Sequence, residues 1–213
     1  MAVEKVFWNN PYQTELIAQV TSVTDSVVTL DKTIFYAFAG GQESDRGSIH
    51  GFTVLKAEKK DMEIFYILES GHDLKAGDEV IVEIQWPRRY RLMRLHFAAE
   101  IILEMVNQRF NKPEKVGAHI AEDKARLDFT WEGSISRIFP LLEEKAREII
   151  DADLPIESAF SDVATEQRYW KIDGFARVPC GGTHLRKTGE IGLIRLKRNN
   201  IGKGRERIEI FVD

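Results

Sequence analysis

Cysteine is nearly absent from this 213-residue chain, with Cys180 its single representative. No intrachain disulfide can form, which leaves Cys180 as core filler, nucleophile or metal ligand. Long apolar runs are missing as well. Ala98–Ala99 and Ile101–Leu103 are only a few residues long and are split by Glu100, far short of the ~20 apolar residues of a membrane helix. The N-terminal ten residues lack the apolar centre of a secretory signal, so the expectation is a soluble, cytoplasmic protein with no membrane partner. Repeats and low-complexity tracts are absent too. A balance of 43% hydrophobic and 30% charged residues excludes disorder and coiled coil. Nor is there an excess of positive charge: the formal net charge is −4, so the chain as a whole does not advertise a nucleic-acid partner.

The local distribution of charge differs from the total. Arg88, Arg89, Arg91 and Arg94 stand together with no acid among them. Arg195, Lys197, Arg198, Lys203, Arg205 and Arg207 face Glu206 alone. Either cluster by itself reads as a solvated surface. Two in one acidic chain predict a directed basic surface of the kind that steers an anionic polymer.

The first ninety residues read as short strands. Gln13–Val23 and Val27–Leu30 flank a turn, as do Phe52–Glu58 and Met62–Leu68, and Val80–Ile84 follows Gly77–Asp78. Such spacing predicts a small barrel or curled sheet, interrupted by the Gly-rich loop Gly40–Gly47. From Arg88 to Phe110 the apolar residues Leu92, Leu95, Ala99, Ile102, Leu103 and Val106 recur every three or four positions, one face of an amphipathic helix. Val116–Ile120 and Ala125–Trp131 read as a hairpin. A second helix lies within Ile135–Ile150, with Pro140 near its start or kinking it. Strands are expected at Tyr169–Ile172, Phe175–Val178, Ile191–Lys197 and Ile208–Val212. The predicted class is α+β: a β-rich domain over 1–86, then a domain over 87–213 with helices packed on a mainly antiparallel sheet.

Two short patterns carry chemistry. Cys180 and His184 bracket Gly181 and Gly182, so a thiolate and an imidazole four residues apart can share one ion if the chain between them is tight. His96 and Glu100 stand at i and i+4 and project from one helix face. Together the thiolate, two imidazoles and a carboxylate make a plausible tetrahedral zinc set. The other histidines, His50, His72 and His119, lack such partners. A thiol enzyme with Cys180 as nucleophile and His184 as base fits the spacing only loosely.

The run from Trp86 to His96, the segment Arg126–Phe129, Val178–His184 and Gly189–Gly192 together resemble the alanyl-tRNA editing proteins of the AlaX type. These are free-standing relatives of the editing domain of alanyl-tRNA synthetase. Leu30–Tyr36 with Gly40–Gln42 and Asp45–Gly47 resembles the Gly-rich loop of the longer forms, so the likeness spans nearly the whole chain. It implies a β-barrel-like N-terminal domain and an α+β editing domain. The implied activity is hydrolysis of mischarged, aminoacylated tRNA in trans, chiefly seryl-tRNA for alanine, with zinc as cofactor. His96, Cys180 and His184 match three family ligands, and Glu100 stands where histidine is usual. Phe97 replaces a small or hydroxylated residue, and Ala37 and Ala39 stand where proline and glycine are usual. By the same likeness Glu100 and Gln42 are the catalytic candidates, and Gly41, Gln42, Ser44, Phe97 and Thr183 are the candidates for substrate contact. Arg88, Arg89, Arg91, Arg94, Lys197, Arg198, Lys203 and Arg205 are the candidates for tRNA phosphates. The alternatives are a hydrolase for another aminoacyl-tRNA and a catalytically weak tRNA-binding module.

Overall fold

The computed structural model describes residues 2–213, which divide into two compact units. The first runs to Ala39 and resumes over Glu43–Tyr90; the second takes Gly40–Gln42 and Arg91–Asp213.

In the first unit Glu15–Thr24, Val27–Leu30, Gly47–Ile49, Phe52–Lys60, Glu63–Leu68 and Glu79–Ile84 close into a barrel of antiparallel neighbours. Glu79–Ile84 shows how the sequence dictates this. Val80, Val82 and Ile84 are buried while Glu79, Ile81 and Glu83 face solvent, the period-two alternation of a strand with one covered face. Gly47 is required where strands approach closely, because a Cβ there would meet the Glu83 carbonyl oxygen at 1.9 Å.

The second unit holds two antiparallel sheets. One is ordered Ile194–Gly202, Arg205–Val212, Ala125–Thr130, Lys115–Ile120; the other is ordered Glu157–Asp162, Gln167–Ile172, Ala176–Pro179. Few helices accompany them, so the class is α+β with mainly antiparallel sheets. The long helix covers Trp86–Arg109, with Pro87 in its first turn, where a missing N–H costs nothing. Its spacing predicts one buried stripe. Met93, Phe97, Ala98 and Ile101 are buried in addition to Leu92, Leu95, Ala99, Ile102 and Val106, so this stretch of the helix is enclosed on nearly all sides.

Pro140 starts the second helix rather than kinking it. A 3-10 turn over Ile135–Ile138 leads into Phe139–Asp151, and Pro140 falls at the first helical positions. The expected strand at Ile191 begins only at Ile194, because Thr188–Ile191 winds into a 3-10 turn that ends at Gly192 with φ 75°. The strand Glu157–Asp162 has no local signal, since it carries a single large apolar residue, Phe160; pairing with Gln167–Ile172 holds it. Gly40–Gln42 is tied to the second unit by the Ile120 amide, which donates to the Gly41 carbonyl at 2.8 Å. Gly41 has φ +86°, and a Cβ there would sit 2.9 Å from the Ala118 carbonyl oxygen, so only glycine fits.

Candidate functional site

The enclosed helix sets His96 and Glu100 one turn apart, and the segment after Ala176–Pro179 supplies Cys180 and His184. Gly182 makes the approach possible: a Cβ on it would lie 2.6 Å from His96 Cε1 and Nε2. His96 Nε2 lies 3.2 Å from Cys180 Sγ, and His184 Nε2 lies 3.3 Å from the same sulfur. The donor atoms of His96, Cys180 and His184 all fall within 4.8 Å of one another. Glu100 Oε1 is 3.8 Å from His96 Nε2 and 3.7 Å from Cys180 Sγ.

Burial sets the charge state of these groups. It lowers the pKa of both imidazoles, more strongly for His184, where His96 and Arg168 act in the same direction. Glu100 opposes this shift at His96. Both rings are thereby kept neutral, the form that binds metals. Burial, reinforced by the Glu100 carboxylate, pushes the Cys180 thiol well up. An unaided thiolate is therefore unfavourable here, which argues against Cys180 as a free nucleophile.

A four-coordinate ion with bonds of 2.0–2.3 Å separates its ligand atoms by about 3.3–3.8 Å. The four separations measured from Sγ and Nε2 fall at 3.2–3.8 Å. One sulfur and two imidazole nitrogens, from Cys180, His96 and His184, could hold a metal ion and are donors that suit zinc, with the Glu100 carboxylate beside two of them. The residues present therefore fit the metal.

Around this cluster lie side chains of two kinds. Gln42 is fully enclosed; its Nε2 donates to Thr183 Oγ1 at 3.0 Å, while Oε1 is buried with no hydrogen-bond partner among the described residues. A Cβ on Gly182 would lie 3.1 Å from that oxygen, which places it beside the cluster. Phe97, expected in substrate contact, is wholly buried with its ring edge-on to His184 at 5.6 Å and to Trp170 at 5.2 Å. It backs the His184 imidazole. Ser44 belongs to the first unit, where its Oγ accepts the Phe38 amide at 2.8 Å.

Two partners of the cluster escape a reading of the sequence. Ser158 Oγ lies 2.8 Å from His184 Nδ1, and Trp170 Nε1 donates to Glu100 Oε2 at 2.9 Å. No motif flags either residue, because each meets its partner only through the three-stranded sheet.

Two of the helix arginines, Arg88 and Arg89, are buried and do not lie on the surface. Arg89 is 0% exposed; its guanidinium forms a two-pronged ion pair with Asp45 and donates to the Pro11 and Ile34 carbonyls. Arg88 is buried between Glu43 Oε2 at 2.7 Å and the Ser44 carbonyl. Arg91 bonds the Val212 carbonyl at 2.6 Å, and Arg94 bonds those of Ile191 and Asp213. The donors of Arg88 and Arg89 serve the fold, because a buried guanidinium needs partners of its own, whereas Arg91 and Arg94 are half-buried. Lys197, Arg198, Lys203 and Arg205 are exposed on the hairpin Ile194–Val212, although Arg198 is tied to Glu206 at 2.6 Å.

Residues 170–209 match the family described as the threonyl and alanyl tRNA synthetase second additional domain, and residues 2–88 match that of class II (A) tRNA synthetases. The alanyl-tRNA editing protein AlaX-M of Pyrococcus horikoshii is 30% identical, over 98% of this chain and 97% of its own length. The AlaX-M of Methanosarcina acetivorans is 31% identical over 96% and 97%. The alanine–tRNA ligase of Methanococcus maripaludis is 34% identical over 97% of this chain, which covers 25% of the ligase. With a full-length likeness at this level, and the Cys180–His184 and His96 segments converging in space, the chain belongs to the alanyl-tRNA editing protein family.

Proposed function

We propose that this protein deacylates mischarged tRNA in trans, chiefly seryl-tRNA for alanine, at a zinc site. The observation that carries the reading is the convergence of His96, Cys180 and His184 beside the unpaired Gln42 Oε1, with Glu100 Oε1 within 3.8 Å of His96 Nε2 and Cys180 Sγ. In the reaction a water oxygen bonds to the ester carbonyl carbon, the bond to the terminal ribose oxygen breaks, and a proton goes to that oxygen. His96, Glu100, Cys180 and His184 hold the metal. Bound there, zinc supplies a Lewis acid that polarises the ester or lowers the pKa of water.

The remaining work falls to the chain. Thr183 fixes the Gln42 amide so that Oε1 points to the site, and Oε1 accepts the hydroxyl of a seryl group. An alanyl group has no donor to offer and leaves the acceptor unpaired. A site built around a hydrogen bond discriminates far better than pocket size alone. Gly41 provides the turn that delivers Gln42. Lys197, Lys203 and Arg205, with Arg198 beside them, meet tRNA phosphates and set position rather than sequence.

Deacylation of seryl-, glycyl- and alanyl-tRNA by zinc-loaded protein tests this. Seryl-tRNA is hydrolysed and alanyl-tRNA spared, and Cys180→Ala abolishes the activity. Glu100→His, which restores the residue usual in the family, tightens zinc and preserves hydrolysis if Glu100 is a ligand. If Glu100 is a general base instead, activity falls while zinc stays bound. Zinc-loaded wild type that binds tRNA but hydrolyses none of the three would refute the hydrolase reading.

A further inference from the structure

We propose that Trp170 is a positioning residue whose indole N–H adapts the carboxylate at position 100 to metal binding. The inference rests on the metal-site reading above. A carboxylate differs from an imidazole in having two equivalent oxygens and freedom to turn between them. Trp170 Nε1 donates to Oε2 at 2.9 Å, and this leaves Oε1 facing Cys180 Sγ at 3.7 Å and His96 Nε2 at 3.8 Å. One oxygen is engaged and the other is presented to the ion.

The indole is suited to the task because it donates and does not accept. It cannot compete for the metal, and a bond to an ionised acceptor is stronger than one between neutral groups. Its own position is set by packing. Trp170 is 0% exposed, with Phe97 edge-on at 5.2 Å and Phe175 stacked at 6.2 Å. The chain thus couples Glu100 on the helix to the strand Gln167–Ile172 through one hydrogen bond. Histidine at position 100 would offer the ion a nitrogen and leave the indole without a carboxylate to hold.

Zinc affinity, read by competition with a chromophoric chelator, and cobalt(II) absorption are measured for wild type, W170F, E100H and the double variant. W170F is expected to bind zinc about 10- to 100-fold more weakly, the usual loss on removing the partner of a metal ligand, and to shift the cobalt bands. The double variant is expected to match E100H within about twofold, which a double-mutant cycle resolves. Should W170F fold poorly, a benzothienylalanine at position 170 keeps the ring shape, replaces N–H by sulfur, and gives the same loss. Equal affinity in wild type and the N–H-less variants would overturn the inference alone, as would an equal loss in the E100H background, since that marks a packing effect. Wild type that binds no zinc would sink the metal reading and this inference with it.

Discussion

Ser158 Oγ stands 2.8 Å from His184 Nδ1, and the imidazole consequently turns its Nε2 to Cys180 at 3.3 Å. Were Nε2 to hold a cation, Nδ1 would carry the proton and donate to the hydroxyl, the usual way a ligating histidine is oriented. Ser158→Ala is expected to weaken zinc binding by about tenfold or more without unfolding the protein. Chelator competition reads the affinity; a wild-type value would make the Ser158 hydrogen bond incidental.

Gly182→Ala inserts a methyl group 2.6 Å from the His96 ring and 3.1 Å from Gln42 Oε1. The ring must shift, so zinc binding and deacylation are both lost, and overpacking destabilises the protein by about 1–3 kcal/mol. Gly181→Ala is the control, because nothing lies within 4 Å of its Cβ position. Urea unfolding and zinc titration of the two variants should diverge; identical behaviour would contradict the close approach.

Acid stability depends in part on Glu206. Donation from Arg198 holds its carboxyl below the ordinary value of 4.5, with Asn200 and the Ile135 backbone adding to the effect. A carboxyl lowered in the folded state contributes stability that is complete above its unfolded value and is lost as pH falls through the folded one. Glu206→Gln should therefore be less stable than wild type at pH 7, and its stability should fall less steeply below about pH 4.5. Urea unfolding across that range measures both; parallel curves would remove Glu206 from the acid response.

Binding to tRNA should depend on salt through the hairpin and not through the helix arginines. Substituting Lys197, Lys203 or Arg205 by Ala reduces the slope of log affinity against log salt by roughly one unit for each phosphate left without its cation. A filter-binding series over several salt concentrations gives the slopes, and unaltered slopes would assign these residues to plain surface. Arg89→Ala, by contrast, strands buried Asp45 and should act through stability.

What local sequence determined was considerable. The period-two alternation of Glu79–Ile84 and the three- and four-residue recurrence along the long helix are signatures of backbone geometry, and both elements form where those periods run. The i, i+4 relation of His96 and Glu100 follows from helix geometry alone. The Cys180–His184 spacing with two glycines is equally local, and these two residues stand with His96 in one cluster.

Tertiary structure alone decided which polar side chains are spent inside the fold. In the sequence Arg89 looks like any other member of an arginine-rich stretch, yet its partner Asp45 lies 44 residues away. Trp170 is 70 residues from Glu100, and Ser158 is 26 from His184. Helix and strand periods reflect the repeat of one backbone and can be read along it. A hydrogen bond between distant segments depends on which elements pack together, and no residue carries a mark of that before the chain has folded.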